Sequence, residues 1–203
     1  MGVAARITAA RPVGSIVECS RRSSGAAAND AMERYADGDA AAFGRLYDEL
    51  EPRLRRFALA LTGSDAAADD VIQQTLLHIH LSRARFVRGA PVIPWAYAIA
   101  RNSVRDVYRR LATEQKLAPE ASAPPVPMPD DVLEQKRRRN VVEEEVSRLP
   151  EQLREAFLLV NVEELPVAEV AEVLGISVAN VKVRAFRARR LLAEAGALWL
   201  GGV

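Results

Sequence analysis

The sequence predicts an all-α protein of two small helical domains joined by a Pro-rich linker, the second being a helix-turn-helix domain. Three observations predict it. Hydrophobic residues make up 49% of the 203 positions but aromatics only 5%, a balance that suits closely packed helices better than a sheet, where aromatic and β-branched side chains dominate. Apolar residues recur at i, i+3, i+4 and i+7 through most of the chain, the spacing of one helix face. Near the C-terminus two such patterns are separated by Leu174, Gly175, Ile176 and Ser177, and the second turns abruptly basic.

Each element follows from a local signal. Residues 1–29 lack an apolar period and are expected to be a disordered tail. From residue 30 to 111 the pattern is helical. Ala42, Phe43, Leu46 and Leu50 form one stripe, and Pro52 is placed at the start of a second helix, where its missing N–H is tolerated. Leu54, Phe57, Ala58 and Leu61 carry that helix to Thr62 and Gly63. Ser64 is a candidate cap for a third helix, with Asp65 in its first turn and Ile72, Leu76 and Ile79 facing a core. Residues 82–94 read as a loop with Gly89, Pro91 and Pro94. Pro94 suits the first turn of a fourth helix over 95–111. Residues 112–131 form the linker, because Pro119, Pro124, Pro125, Pro127 and Pro129 remove backbone donors and hold the chain extended. The second domain covers 132–199 and ends in the helix-turn-helix.

Composition narrows the function. Net charge is only +1, but the charge is segregated: acidic over 37–70, basic over 101–110 and 182–190. Segregation of this kind suits two kinds of partner, one of them polyanionic. The single cysteine, Cys19, cannot form an internal disulfide, and a reducing cytoplasm is expected. No apolar run is long enough to span a bilayer, and residues 1–29 lack the apolar core of a secretory signal. Catalysis finds no support. His78 and His80 lie on different faces of a helix, so they do not chelate one metal together. Neither a Walker-type phosphate loop nor a Gly-x-Ser-x-Gly elbow is present. No cofactor is expected.

Three segments are candidates for binding. In the first, Val167, Val170, Ala171 and Leu174 form a helix stripe, Gly175 ends it, and Ser177 caps the next helix. That helix buries Val181, Ala185, Ala188 and Leu192, leaving Lys182, Val183, Phe186, Arg187 and Arg190 opposite, with Arg184 and Arg189 at the sides. A capped basic helix after a tight Gly turn is the recognition element of a helix-turn-helix. Lys182 or Arg187 could read guanine and Val183 a thymine methyl, while the other arginines hold phosphates. In the second, Arg101, Arg105 and Arg109 recur every four residues among Trp95, Tyr97 and Tyr108. Arginine beside aromatics suits single-stranded DNA. Core packing of Trp95 and Tyr97, with Asp106 neutralising Arg109 or Arg110, explains the same pattern, and periodicity alone favours it. In the third, Asp69, Asp70, Gln73 and Gln74 share one polar face, which fits either solubility or docking of a basic protein.

Taken together, these segments resemble the extracytoplasmic-function group of bacterial sigma factors. Residues 65–77 resemble the acidic signature of region two. Residues 95–110 resemble the Trp-Leu-Tyr-x-Ile-Ala-x-Asn pattern that follows it, and residues 149–190 resemble region four, including Leu-Gly-Ile-Ser-Val-x-x-Val-Lys-x-Arg. The resemblance covers about residues 30–195. It implies a promoter-specificity subunit that binds core RNA polymerase, opens the −10 element and reads the −35 element as duplex, performing no chemistry itself. It further implies that Asp69, Asp70, Gln73, Gln74 and Leu77 dock on polymerase. Trp95, Arg101, Asn102, Arg105, Asp106 and Arg109 would form or support the −10 surface, and Lys182, Val183, Arg184, Phe186, Arg187 and Arg190 would face the −35 groove. An anti-sigma partner is implied as well. The chain departs from the family pattern at Gln74, where an acidic residue is usual, at Pro166, in place of a Ser cap, and at Val183, in place of a small polar residue. The Ala-Pro-Val-Ile-Pro stretch over 90–94 is unusually apolar. The competing expectation is a stand-alone helix-turn-helix regulator whose N-terminal unit dimerises or binds a ligand.

Overall fold

In the computed structural model, residues 14–117 and 144–196 are described, with side chains over 25–110 and 144–196. All regular elements among them are helical. The N-terminal unit comprises α1 (Gly14–Ala36), α2 (Ala42–Thr62), α3 (Asp65–Ser82) and α4 (Val92–Leu117), with a short 3-10 turn at Arg83–Arg85. The C-terminal unit begins with a helical stretch over 144–148. It continues through α5 (Glu151–Phe157), a π-type turn (Leu158–Val162), α6 (Val167–Leu174) and α7 (Val178–Glu194).

Three expectations need correcting. The first is the disordered tail over 1–29, because α1 already starts at Gly14. Ala28, Ala31, Met32 and Tyr35 are all buried. They fall at i, i+3, i+4 and i+7, a stripe half of which is alanine and therefore weak as a sequence signal. Residues 1–13 lie outside the described residues. The second is Pro52, which sits inside α2 rather than at a helix start. Ala42, Leu46, Leu50, Leu54, Phe57, Ala58 and Leu61 form one unbroken buried stripe along that helix. Burial of this stripe outweighs the hydrogen bond lost at proline, for which about 3 kcal/mol is typical. The third concerns α4, which begins at Val92 and runs to Leu117, past the expected linker boundary; the rest of that linker lies outside the described residues.

The turns follow the expected chemistry. Gly63 closes α2 in the left-handed region at φ 67, and Ser64 Oγ accepts from Ala67 N at 3.4 Å to start α3. Tyr97, fully buried, meets Phe57 edge-on with ring centroids 5.1 Å apart. Between α3 and α4 the buried hydroxyls are satisfied locally: Thr75 donates to Val71 O at 2.7 Å and lies 3.4 Å from Ser103 Oγ.

Helix α1 also sets the start of α4. Asn29 Oδ1 accepts from Val92 N at 2.8 Å, and Glu33 Oε1 accepts from Gly89 N at 2.8 Å. The apolar residues that looked anomalous in the 90–94 stretch have a packing role, since Val92 and Ile93 are buried in the core. Asn29→Ala leaves an orphan donor at a helix start and is expected to cost about 0.5–2 kcal/mol, the usual range for losing a cap. Asn29→Asp keeps the acceptor and should cost less. Urea unfolding followed by circular dichroism checks both.

In the C-terminal unit, Pro166 occupies the cap position of α6 without a side-chain bond. Its carbonyl accepts from Val170 N at 3.0 Å, so the helix begins on backbone alone. Gly175 then takes φ 66, a conformation that costs an L-residue about 1–2 kcal/mol. Ser177 Oγ accepts from Asn180 N at 3.3 Å and starts α7. The turn after the π segment holds Glu164 at φ 52, the one non-glycine residue with positive φ among those described.

Candidate nucleic-acid interface

Helix α7 is built as a presenting helix. Val181, Ala185, Ala188 and Leu192 are buried, and the helix packs against α5 and α6. The opposite face is open: Val183 is 45% exposed and Phe186 59%, with Lys182, Arg187 and Arg190 also exposed and Arg184 half-buried. Arg190 pairs with Glu194 at 3.1 Å. Among the described residues no such pair engages Lys182 or Arg187, so both ends stay available. A cationic face carrying two apolar side chains can bind phosphates at its edges and touch base edges at its centre.

Helix α4 gives a mixed result. Tyr97 is core, 1% exposed, and burial followed by the Glu163 carboxylate pushes its phenol far above the ordinary value, so it stays neutral. Trp95 is half-buried and packs on Phe86 with centroids 5.4 Å apart. Asp106 holds Arg109 at 3.0 Å. Asn102 and Arg105 are exposed. Arg101 is not: its side chain is 14% exposed and its Nε donates to Glu155 Oε1 at 2.7 Å. The ridge therefore exists along α4, but its first arginine is covered by α5. Tyr108 donates to Leu61 O at 2.6 Å, and Arg154 Nη1 donates to the same carbonyl at 3.2 Å, tying the two units at the end of α2.

Helix α3 presents the acidic face. Asp69, Asp70 and Gln73 are exposed, Gln74 is half-buried, and Leu77 is 53% exposed. Asp69 pairs with Arg55 at 2.8 Å and Asp70 with Arg110 at 3.7 Å. These pairs sit in water, where such contacts contribute little and exchange readily. Leu81 extends the face at 67% exposure, and Val87, past the 3-10 turn, is 69% exposed. Sequence reasoning missed both, although Leu81 lies four residues past Leu77 on the same side. His80, seven residues past Gln73 and so on the same side of the helix, is exposed and bonds the Tyr35 hydroxyl through Nδ1. No cluster of metal-ligating side chains occurs among the described residues.

Residues 46–114 match the family model Sigma-70 region 2, and residues 139–192 match Sigma-70 region 4. The RNA polymerase sigma factor CarQ of Myxococcus xanthus is 32% identical over 169 residues, spanning 80% of this chain and 94% of CarQ. The ECF sigma factor SigF of Caulobacter vibrioides is 32% identical over 168 residues, spanning 80% of this chain and 90% of SigF. This chain belongs to the extracytoplasmic-function sigma factors.

The fold agrees. The solved structure of CnrH in complex with the cytosolic domain of CnrY superposes with a TM-score of 0.64 at 26% identity, covering 83% of this chain and 96% of that one. The sigma factor is thus a promoter-specificity subunit of RNA polymerase. Its α3 and nearly all of α4 fall within region two, and α5, α6 and nearly all of α7 within region four. A stand-alone regulator would not carry a region-two match across 46–114. No helix among the described residues is long and apolar enough to cross a membrane.

Proposed function

We propose that the sigma factor grips its promoter at two points with the residues the geometry exposes. The observation that carries this reading is the open face of α7, where Lys182, Val183, Phe186 and Arg187 stand clear of the core behind a capped turn. These residues, with Arg184 and Arg190, face the −35 major groove. Asn102, Arg105 and Arg109 form the −10 surface, with Trp95 and Asp106 shaping it and Arg101 joining when uncovered. Asp69, Asp70, Gln73 and Leu77, with Gln74 at the edge, dock on core polymerase, and Leu81 and Val87 widen that contact. Two weak contacts on one chain combine through effective concentration.

Opening the −10 strands then rests on capturing an unstacked base, which offsets a few kcal/mol of stacking. The protein performs no chemistry; the polymerase supplies the active site. It works in the cytoplasm, where the polymerase and DNA are. A protein partner masks these surfaces between signals, a reading supported by the complex of CnrH with a cytosolic domain.

The direct test is promoter-dependent transcription by core polymerase with and without this chain. Unchanged transcripts on unrepressed templates would sink the proposal. Asp70→Lys isolates the docking face. Asp70 is exposed and holds only a long surface pair, so the fold should be unaffected by circular dichroism. Polymerase affinity is expected to fall about tenfold or more, by like-charge logic at an interface. Binding of −35 duplex should stay within about twofold, as expected for distant, uncoupled sites.

A further inference from the structure

A cleft of about 500 Å3 opens at the end of α2, with walls that include Leu61, Val104, Arg105, Tyr108, Glu151 and Arg154. Small-molecule sites run from about 300 to 1,000 Å3. Leu61 and Val104 are buried and make an apolar floor. Tyr108 is 44% exposed. Its hydroxyl donates to Leu61 O at 2.6 Å, which fixes the ring in place. None of the surfaces proposed for promoter or polymerase uses this ring.

Arg154 stands beside it. Its Nη1 donates to the same Leu61 carbonyl at 3.2 Å, and its Nη2 donates to Leu149 O at 2.9 Å. Both acceptors are neutral. Its Nε is buried without a partner, and among the described residues no carboxylate pairs with it. A half-buried guanidinium that meets only neutral oxygens has lost water without gaining a counter-ion. Each Nη that holds a carbonyl still carries a second N–H. Arg105 lies 4.0 Å from Glu155 and keeps 43% of its side chain exposed. Arg101, by contrast, is matched by Glu155 at 2.7 Å.

We propose that this cleft binds a free nucleoside triphosphate. The base stacks on Tyr108 over the apolar floor, and Arg105 and Arg154 hold the phosphates. A clamped ring is a ready stacking platform for any base, and guanidinium forks match phosphate oxygens. A nucleic-acid strand fits less well. Its backbone would continue past Glu151, which lines the cleft and is exposed, and like charges repel there. The site does not rest on the −10 reading, although it shares Arg105 with that surface.

Isothermal titration of the full-length chain with ATP tests the site. One site per chain is expected, with a Kd of about 100 μM or below. Inorganic triphosphate, which lacks the ring, should bind about 5–150-fold more weakly, the range for loss of one stacked base. Adenosine, which lacks the phosphates, should not saturate. Arg154→Gln should weaken ATP binding about tenfold or more, as loss of a charge-assisted hydrogen bond does. Tyr108→Ala should bring ATP down to the affinity of inorganic triphosphate, whereas Tyr108→Phe, which keeps the ring, should not.

Glu151→Gln is expected to tighten ATP binding about two- to fivefold, the range for one charge interaction in water. A loosened fold does not tighten a ligand, so this variant decides the matter even where Arg154→Gln fails to fold. Lack of saturation by ATP up to about 1 mM refutes the proposal. So does inorganic triphosphate binding as well as ATP, which marks attraction of an anion only. Unchanged affinity in a folded Arg154→Gln, or no gain in Glu151→Gln, refutes it too. If oligo(dT) binds and ATP does not, the cleft serves a strand and the proposal fails. If ATP binds but promoter-dependent transcription is absent, the promoter reading fails and the nucleotide site stands.

Discussion

Replacing Arg187 with alanine is expected to weaken binding to the −35 duplex by about 5–150-fold, the equivalent of about 1–3 kcal/mol for a side chain that reads a base. Arg187 projects from the open face of α7 opposite the buried Val181, Ala185 and Ala188. The variant should therefore keep its helix and its thermal unfolding profile. The loss should be larger on the preferred sequence than on a scrambled duplex, and the preference at one base pair should relax. Arg189, exposed on the flank, supplies the contrast. Arg189→Ala is expected to lower affinity for all duplexes alike and to reduce the salt slope by about one, as loss of a phosphate contact does. Fluorescence anisotropy over a salt series separates the two. Equal loss for Arg187→Ala on every sequence would make it a phosphate contact as well.

Replacing Phe57 with alanine is expected to cost about 3–5 kcal/mol of stability, the range for truncating a buried phenylalanine. Phe57 is 1% exposed, in the middle of the α2 stripe, and its ring meets Tyr97 of α4 edge-on. Truncation removes packing from two helices at once. It also leaves a void against the Tyr97 ring. For a unit of this size such a loss approaches the whole folding free energy. Polymerase binding should then fail because α3 and α4 lose their mutual placement, not because a contact residue has changed. Phe57→Leu should recover most of the stability. Guanidinium unfolding by circular dichroism measures both, and a cost below about 1 kcal/mol would contradict the packing described.

The helix-turn-helix was legible residue by residue. Its stripe, its Gly175 turn and its Ser177 cap are local signals, each acting within four residues, and the structure repeats them at the same positions. The open face of α7 follows, because four buried positions at helical spacing leave the other side to solvent. The N-terminal unit was less legible. A stripe of Ala28, Ala31 and Met32 gives little contrast in hydrophobicity, so α1 read as a tail. Pro52 looked like a boundary because its local effect is known in advance, while the burial that overrides it depends on three other helices.

The same division runs through the candidate site. Sequence by itself nominated the residues proposed to bind DNA or polymerase, since charge, helical spacing and capping are set by neighbours along the chain. Tertiary structure alone decided which of them are available. Arg101 and Arg105 share a helix and a spacing, yet Arg101 lies under Glu155 while Arg105 remains 43% exposed on its side chain. Glu155 and Arg101 are 54 residues apart, and no local period relates them. Their meeting depends on how two helical units pack, and desolvation of a charge is a property of that packing rather than of the chain.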